Sequence, residues 1–297
     1  MASSATTPPP PPAALESSPS ARVVGALEEM SWLEPLSEQV DAALRPISRR
    51  QPLMDVLHGR WLGHALHPVL SDLPIGFWAA VPVLDLAGDD AGALAMTAAG
   101  CAAAVATAAT GAADWTATHG RERRLGMLHG LINSAALGLQ LGALGARSAR
   151  RRGLGRALPL AGLGVSAAAA YLGGELVFGR GVMVDHDAWI AGPADWTPVL
   201  DDAALAEGAV QHVEVEGRTI LLARVEGRVS AMEDACSHAG GPLHAGTVCD
   251  GVVTCPWHGS RFRLRDGAVV GGPATFPQLR LESRVAAGRI EVRGRQG

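Results

Sequence analysis

The chain has 297 residues, of which 48% are hydrophobic, 18% charged and 4% aromatic, and its formal net charge is −4 at pH 7. That length allows two domains with a core each, and without a basic excess nothing indicates a nucleic-acid partner. The four cysteines, Cys101, Cys236, Cys249 and Cys255, are too few for a disulfide framework in a chain of this length. A reducing compartment is therefore expected.

Residues 1–22 are predicted to be a disordered tail. Ala, Ser, Thr and Pro dominate this segment, and such a composition buries too little apolar surface to offset the entropy of ordering. It lacks the basic and apolar regions of a secretory signal peptide. Residues 23–66 follow as an amphipathic helix, predicted over 23–45, and a pre-membrane segment. Apolar residues at helical spacing from Leu27 to Val40 favour a packed helix over one that lies on a membrane surface.

Residues 67–178 are predicted to form a four-helix transmembrane domain. Apolar stretches rich in Ala and Gly cover residues 69–87, 91–113, 125–146 and 157–178. Each is long enough to cross a hydrocarbon core of about 30 Å, and small residues suit close helix packing in lipid. A soluble, buried Ala-rich bundle is the alternative.

Four spans would place both ends of the chain on one side of the membrane. The segments on that side carry eight arginines and those on the opposite side five. This asymmetry favours a multi-pass protein of the inner (plasma) membrane whose C-terminal domain is cytoplasmic. Ser48-Arg49-Arg50 also resembles the start of a twin-arginine export signal, but no apolar segment follows it closely.

A linker over residues 179–195 leads to a different pattern in residues 196–297. Short runs such as 210–215 and 219–225 alternate apolar and polar residues, and Glu-Gly turns separate them. A period of two with regular turns predicts β-strands. The expected fold is therefore multidomain, with an all-α four-helix transmembrane bundle followed by an all-β domain.

The chemistry of the chain is concentrated in two short segments of the β region. Cys236-Ser237-His238 is followed, after sixteen residues, by Cys255-Pro256-Trp257-His258. Two thiolates and two imidazoles can hold zinc tetrahedrally, or a two-iron cluster with both thiolates on one iron and both imidazoles on the other. Each local pair here mixes Cys with His, whereas zinc fingers usually pair like with like.

This spacing and its flanking residues, His238 to Leu243 and Cys255 to Phe262, resemble the Rieske (ISP-like) domain. The resemblance implies a [2Fe-2S] cluster whose ligands are Cys236, His238, Cys255 and His258. It also implies that Gly272-Pro273-Ala274 forms a third loop over the cluster, so Ser260 and Pro273 are expected in the cofactor-binding surroundings. Zinc instead of iron is the alternative.

Two departures from the family pattern concern the reduction potential. High-potential members carry an extra Cys in each cluster loop, joined as a disulfide, where this chain has Gly241 and Trp257. Those members also use a Tyr hydroxyl to donate to a ligand sulfur; Phe262 stands there, although Ser260 remains. Because fewer donors to sulfur lower the potential, we predict a value towards the lower end of about −150 to +300 mV. Cys249 is expected to be a free, half-buried thiol, and His244 a surface histidine.

Ionisable residues gather on the side of the bundle that precedes the β domain. They are His64, His67, Asp72, Asp114, His119, His129, Glu175, Asp185 and His186. Spans one and three run in the same direction, so His67 and His129 are expected at similar depth. Ionisable groups in a membrane are costly and usually face the bundle interior. The alternatives are a haem or quinone site and a polar network that holds the helices together, and the network is favoured.

The segments 67–76 and 173–177 also resemble an uncharacterised family of four-helix membrane domains, some of which are fused to Rieske modules; this resemblance implies no activity. The expected function is ferredoxin-like one-electron transfer by a membrane-anchored protein, between a reductase or quinol and an acceptor protein. Such a chain would be an electron-transfer component rather than a stand-alone catalyst. The alternatives are a redox sensor coupled to the membrane domain and a component of a Rieske oxygenase system. About 39 residues follow His258, too few for the mononuclear-iron domain of an oxygenase.

Overall fold

The structure is a computed structural model that describes residues 19–294, with side chains from residue 22 onwards. Most of the predicted tail lies outside these residues, and the first helix begins at Pro19. The helices are α1 (Pro19–Glu28), α2 (Leu33–Ser48), α3 (Gln51–Leu57), α4 (Leu66–Ala87), α5 (Asp90–Thr116), α6 (Gly120–Ser148) and α7 (Arg152–Gly174). A π-helical turn, Glu175–Gly179, continues α7.

The four long helices α4 to α7 contain the four predicted spans and are long and apolar enough to cross a membrane. Only 17% to 22% of the most apolar stretch of each helix is buried. Leu86 and Phe178, for example, are 90% and 92% exposed. Apolar side chains that face outwards over whole helices suit contact with lipid rather than with water.

The four helices form two hairpins, α4–α5 and α6–α7. Each hairpin packs closely within itself, α5 also contacts α6, and α4 contacts α7. Helices α4 and α6 therefore face each other across the diagonal of the bundle. The turn between α4 and α5 depends on Gly88, whose φ of +77° is in the left-handed region. Asp89 then caps α5 by accepting the Gly92 amide at 2.8 Å.

The two hairpins are repeats of one another at an offset of 62 residues. Residues that make equivalent contacts in the first and second hairpins are His67 and His129, Trp78 and Gln140, Gly100 and Gly162, Thr107 and Ala169, and Gly111 and Gly173. His67 bonds the carbonyl of Thr107, and His129 bonds that of Ala169. The bundle therefore has approximate two-fold symmetry, with an axis that runs between the hairpins.

The amphipathic segment that precedes the bundle is two helices, α1 and α2, rather than one. Arg124 of α6 donates to the carbonyl of Glu28 at 2.6 Å, which satisfies an acceptor at the C-terminal end of α1. The apolar residues before the break pack with Leu125 and Leu172, and those after it pack with Trp115 and Met127. The helix breaks because its two parts cover different clusters of the bundle.

The β region comprises two antiparallel sheets. The strands are β1 (Thr197–Asp201), β2 (Val210–Val215), β3 (Arg218–Val225), β4 (Arg228–Glu233), β5 (Thr247–Cys249), β6 (Val252–Thr254), β7 (Arg261–Arg263), β8 (Val269–Gly271), β9 (Arg280–Ala286) and β10 (Arg289–Arg293). One sheet has the order β1-β10-β9-β4-β3-β2 and the other β5-β6-β7-β8. Strand β3 departs from the expected alternation. Its Leu221 faces the core between the sheets, while Ile220 and Leu222 face a second core against β9 and β10.

The helical part contacts the β region through α3 and the segment after α7. Asp55 of α3 accepts the backbone amide of Gly272 at 2.9 Å, and Arg60 forms an ion pair with Asp55 at 3.0 Å. The amide of His186 donates to the Ser237 carbonyl at 3.0 Å. These contacts bring the loops of residues 234–246 and 272–279 against the bundle.

Candidate metal centre

The two segments that carry the motif fold into two loops of similar geometry. In the first, between β4 and β5, the Cys236 amide donates to the Gly241 carbonyl at 2.9 Å and the Cys236 carbonyl accepts from Gly240 at 2.7 Å. In the second, between β6 and β7, the Cys255 amide donates to Ser260 at 2.8 Å and its carbonyl accepts from Gly259 at 3.1 Å. Gly240 and Gly259 have φ of +73° and +76°, a conformation that glycine adopts readily.

The loops bring the four predicted ligands together as two like pairs. Cys236 and Cys255 are 1% and 3% exposed, and their side chains are in hydrogen-bond contact. The ring centroids of His238 and His258 are 5.0 Å apart, with an interplanar angle of 81°. The sequence mixes Cys with His in each loop, and the fold sorts them into a sulfur pair and a nitrogen pair.

The separation of the two imidazoles fits two ligands on one metal. A metal–nitrogen bond of about 2.1 Å, plus about 1.1 Å from the nitrogen to the ring centre, places a metal about 3.2 Å from each centroid. Two such ligands at a tetrahedral angle have centroids about 5 Å apart, and the observed value is 5.0 Å. With the two sulfurs as the other pair, the arrangement suits two metals with two protein ligands each.

The ring nitrogens and their pKa values fit the same role. Nδ1 of His238 and Nδ1 of His258 are buried and have no hydrogen-bond partner in the described part of the chain. Burial, reinforced by the charge of His258, lowers the pKa of His238 to about 3. Burial, together with the charge of His119, lowers the pKa of His258 to about 4. Both rings are therefore neutral at physiological pH, with Nδ1 lone pairs available to a metal.

The two sulfurs shift each other's pKa in opposite directions. Interaction with Cys236 lowers the pKa of Cys255, whereas interaction with Cys255, together with burial, raises the pKa of Cys236. This donor set of two sulfurs and two imidazoles fits a [2Fe-2S] cluster.

The third loop, between β8 and β9, closes the site; it contains the predicted residue Pro273 and is bonded to the other, Ser260 of the second loop. Ser260 is fully buried, and its hydroxyl oxygen accepts the Ala274 amide at 3.0 Å. Pro273 precedes Ala274. Gln278, which the sequence analysis missed, ties this loop to the first one. Its amide donates to the Ala235 carbonyl at 2.7 Å, and its oxygen accepts the Ser237 amide at 2.9 Å. No sequence signal distinguishes this glutamine.

The positions that carry extra cysteines in high-potential relatives face each other here. A Cβ atom on Gly241 would lie 2.9 Å from the Cys255 sulfur and 2.9 Å from Cγ of Trp257. Since real Cβ contacts are longer, any larger side chain at Gly241 would displace a predicted ligand. Among the remaining cysteines of the described chain, Cys249 is free and exposed, so the expectation of a half-buried thiol was wrong.

His244 is not the surface histidine that was expected. Its Nδ1 pairs with the buried carboxylate of Asp234, which also accepts the His244 amide at 2.7 Å. Its ring stacks on His212 at a centroid distance of 4.0 Å. Sequence reasoning missed this pair because the two residues are ten positions apart, at opposite ends of the first loop.

The outer edge of the site, although partly exposed, lies against the helical bundle. Nε2 of His258 lies 2.8 Å from Nδ1 of His119, the residue that precedes α6. A cavity of ≈560 Å³ opens beside this contact, and Asp114, Met183, His186 and Trp257 also line it. The predicted polar side of the bundle therefore meets the candidate cluster site.

Four of the other predicted polar residues of the bundle occupy two further places. His64 and Asp72 line a second cavity, of ≈340 Å³, at the same end. His67 and His129 lie at similar depth, as predicted, with ring centroids 6.4 Å apart. The sequence analysis missed His58, a buried residue whose Nδ1 pairs with Asp114 at 3.0 Å.

Two antiparallel sheets with paired Cys-His loops at one end, joined to an apolar four-helix bundle, define an iron–sulfur protein with a membrane-type domain. Residues 195–283 match the family described as Rieske [2Fe-2S] domain, and residues 63–186 match that described as predicted membrane protein (DUF2231). The chain belongs to the Rieske [2Fe-2S] family through its C-terminal region, and that membership implies a [2Fe-2S] cluster.

Similar proteins include small ferredoxins that the chain covers almost entirely. It is 31% identical over 100 residues to ferredoxin CarAc of Metapseudomonas resinovorans, covering 33% of this chain and 94% of that protein. It is 34% identical over 102 residues to the anthranilate 1,2-dioxygenase ferredoxin subunit of Burkholderia cepacia, covering 33% and 92%. By contrast, it spans 15% of apoptosis-inducing factor 3 of Mus musculus, at 28% identity over 89 residues, which is 30% of this chain.

Among solved structures, the ferredoxin of carbazole 1,9a-dioxygenase from Nocardioides aromaticivorans IC177 is similar at 26% identity, with a TM-score of 0.33. That match covers 34% of this chain and 100% of the ferredoxin. The match of residues 195–283 to the Rieske family and the identity to the two ferredoxins support electron transfer by the β region. The membrane character of the chain depends on the helical half alone.

Proposed function

We propose that this protein is a membrane-anchored Rieske iron–sulfur protein that passes one electron at a time, in the manner of a ferredoxin, between a reductase or quinol and an acceptor protein. Cys236, His238, Cys255 and His258 would hold the cluster, the imidazoles through Nδ1. The observation that carries this proposal is the sorting of the four side chains into a buried sulfur pair and an imidazole pair with centroids 5.0 Å apart.

The chain's own residues would shield and orient the redox centre. A bound [2Fe-2S] cluster supplies a one-electron couple. Burial of Cys236 and Cys255 excludes water from the sulfur side, and the neutral rings of His238 and His258 keep their lone pairs for iron. Ser260 and Gln278 hold the three loops at fixed separation through backbone amides. Fixed loops keep ligand geometry constant as the charge changes, which favours fast transfer.

The helical half would fix this domain to the inner (plasma) membrane on its cytoplasmic side. The apolar outer surfaces of α4 to α7 support insertion. The excess of arginine on the side of the β region supports a cytoplasmic orientation. The contact between Asp55 and Gly272 would hold the third cluster loop against the bundle.

The cavity beside His258 supports a partner on the membrane side. Its volume of ≈560 Å³ is typical of small-molecule sites, which range over about 300–1,000 Å³. Met183 and Trp257 give it apolar walls, whereas His119 and His186 offer polar groups. A quinol that entered it would reach the outer edge of His258. A haem in the bundle is the other membrane-side redox partner that this face of the domain suits.

A second candidate function is electron supply to an oxygenase. The identity to CarAc and to the anthranilate 1,2-dioxygenase ferredoxin subunit favours it. The partner would then be a soluble reductase or oxygenase and would have to reach the cluster past the contact between His119 and His258. Removal of the bundle side chain, by His119→Ala, would speed transfer to a soluble partner and slow transfer from quinol.

The cluster assignment is tested by comparing Cys255→Ser with the matched variant Cys249→Ser in anaerobically purified full-length protein. We expect two irons and two acid-labile sulfides per chain, and a Rieske-type EPR signal after reduction, in the wild type and in Cys249→Ser. Cys255→Ser should lose all three. One zinc per chain without sulfide in the wild type would overturn the assignment.

The direction of electron flow is tested with the same protein in liposomes. If the potential lies near the lower end of the Rieske range, we expect NADH with an added ferredoxin reductase to reduce the cluster faster than a reduced short-chain quinol does, because transfer from quinol is then uphill. Rapid reduction by the quinol would contradict the low potential and favour the quinol route over oxygenase supply.

A further inference from the structure

The last turn of α2, the short helix α3 and the loop before α4 expose a group of apolar side chains. Met54, Asp55 and His58 are buried on one side of α3, and the last two bond to the β region and to α5. Large apolar residues of the same segment are 37% to 66% exposed: Ile47, Leu53, Val56, Trp61 and Leu62. Soluble surfaces rarely group apolar side chains in this way, and such patches mark contacts with a membrane or a protein.

Spacing and one hydrogen bond bring the exposed apolar residues of α3 and its loop together. Leu53 and Val56 are three residues apart in α3, so they share one face of the helix. The indole Nε1 of Trp61 donates to the Val56 carbonyl at 3.2 Å, which holds the Trp61 side chain against the end of that helix. Leu62 follows directly in the chain. These four residues, Leu53, Val56, Trp61 and Leu62, are called the α3 patch.

The α3 patch lies at the end of the bundle where the apolar outer surface of α4 begins. Helix α4 starts four residues after Leu62, and Val69 and Leu73, in its first two turns, are each 46% exposed. His58, within the same segment, pairs with Asp114 in the last turn of α5. The patch is therefore level with the ends of the spans, the depth at which Trp is enriched in membrane proteins.

Two arginines beside the α3 patch add positive charge. Arg49 and Arg50 directly precede α3, and both are exposed. Neither forms an ion pair within the described part of the chain. The cytoplasmic leaflet carries anionic lipids, which attract arginines near its surface. An apolar patch that continues the outer surface of a span, with cations at its edge, fits the headgroup layer of an anionic membrane better than it fits a soluble protein.

We propose that the α3 patch, with Arg49 and Arg50, is an interfacial anchor that inserts into the headgroup layer of an anionic membrane. This inference rests on the proposed membrane-anchored function and adds where the membrane surface meets the molecule. On the buried side of α3, Asp55 accepts the Gly272 amide of the third cluster loop at 2.9 Å, and Gln51 donates to the Gly272 carbonyl at 3.3 Å. The anchor therefore fixes the height of the cluster domain above the membrane.

The insertion of the α3 patch is tested by the fluorescence of Trp61 in full-length protein reconstituted into liposomes. The Trp61 signal is the difference between the wild type and Trp61→Phe. Lipids that carry bromine near the headgroup end or near the methyl end of the acyl chain serve as quenchers. We expect stronger quenching by bromine near the headgroup end. The matched difference with Trp196→Phe should show no quenching, because Trp196 packs against Arg284 and Arg293 on the large sheet.

The role of the arginines is tested in liposomes of phosphatidylcholine, alone or mixed with an equal amount of phosphatidylglycerol. Quenching of Trp61 should increase with phosphatidylglycerol, and Arg49→Gln/Arg50→Gln should lose that increase. The control Arg150→Gln/Arg151→Gln removes the same charge between α6 and α7, at the other end of the bundle, and should keep the increase. An equal response of the two double variants would overturn the proposed binding of anionic lipid.

Extraction with alkaline carbonate separates failure of the anchor from failure of the proposed function. Protein that resists extraction but whose Trp61 is not quenched by lipid would overturn the interfacial anchor alone, and would assign the α3 patch to a protein partner or a second copy of the chain. Protein that carbonate extracts would overturn the membrane-anchored function and the anchor together. Resistance to extraction with quenched Trp61 supports both.

Discussion

The two halves of the molecule bury their apolar residues in opposite ways. In the β half, Leu221 and Phe262 are fully buried between the sheets. In the helical half, only 17% to 22% of the most apolar stretch of each long helix is buried, and Leu86 is 90% exposed. Composition alone does not distinguish the two halves. They differ in the solvent to which their outer surfaces are suited. The β half is built for water and the helical half for lipid.

The substitution with the largest expected effect on stability lies in the core of the β half. Phe262→Ala should destabilise the cluster domain by about 3–5 kcal/mol, because it opens a cavity in a closed core. Phe178→Ala, on a side chain that is 92% exposed, should change stability by less than about 0.5 kcal/mol. Urea titration in nanodiscs, followed by the visible circular dichroism of the cluster, measures both. Equal losses would mean that Phe178 is covered in the protein, against the proposed lipid contact.

The second prediction concerns a buried carboxyl group where the halves meet. Burial raises the pKa of Asp187 to about 7, while one carboxylate oxygen accepts the Leu279 amide at 3.2 Å. In the unfolded chain the group ionises near pH 3.9. The folded state therefore binds the proton more tightly, so stability is constant below about pH 4, falls between pH 4 and 7, and is constant above.

Asp187→Asn should remove this pH dependence, since the amide stays neutral. At about 1.4 kcal/mol per pKa unit, the loss between pH 4 and 7 amounts to at most about 4 kcal/mol. Melting temperatures of wild type and Asp187→Asn, compared from pH 4.5 to 8, should converge at low pH and diverge at high pH. The exposed Asp195→Asn should follow the wild type. Parallel curves for wild type and Asp187→Asn would contradict the raised pKa.

The third prediction tests the helical half at its far end, where the two hairpins are joined by a buried ion pair. Arg147 and Asp85 occupy equivalent repeat positions and form a bidentate pair, at 2.9 and 2.6 Å, with side chains 7% and 9% exposed. Arg147→Ala leaves a buried carboxylate, which costs about 3 kcal/mol, although Arg156 at 3.8 Å offsets part of it.

Arg152→Ala is the matched control, since Arg152 pairs with Asp90 at 3.3 Å in the same repeat relation but is 79% exposed. Its loss should be below about 1 kcal/mol. Thermal loss of helical circular dichroism in detergent measures both variants. A larger loss for Arg152→Ala would show that the exposed pair, not the buried one, joins the hairpins.

The sequence predicted the features that local spacing controls. The four spans follow from hydropathy, and the ligand pairs follow from two short motifs whose loops close on themselves. The sequence could not place contacts between distant polar groups, such as that between Asp55 and Gly272. The identity of Asp55 does not indicate that an amide 217 residues away will donate to its carboxylate. The two-faced burial of β3 was missed for the same reason, because it depends on a second core built by β9 and β10.

One signal was present in the sequence but was not used. The repeat at an offset of 62 residues relates His67 to His129, and Gly111 to Gly173. A repeat of this kind would have predicted that the two histidines face each other across a symmetry axis. Their separation could still not be predicted, because it depends on backbone carbonyls in α5 and α7. Because any residue can supply a backbone carbonyl, such bonds cannot be recognised from residue types.

The smallest expected effect is on the reduction potential of the cluster. The Ser260 hydroxyl accepts the Ala274 amide, which leaves its own hydrogen free to donate to a cluster sulfur. A hydrogen bond contributes about 0.5–1.5 kcal/mol, equivalent to about 20–60 mV for one electron. Because such donors favour the reduced cluster, Ser260→Ala should lower the potential by that amount, from a wild-type value that we predict near the lower end of the Rieske range.

Protein-film voltammetry measures this shift directly. Ser283→Ala is the control, because the Ser283 hydroxyl donates to the Val229 carbonyl within the large sheet, away from the cluster loops. Its potential should equal that of the wild type. A rise in potential for Ser260→Ala, or a wild-type potential in the upper third of about −150 to +300 mV, would mean that other donors, in the loops or from the bundle through His119, set the potential of this centre.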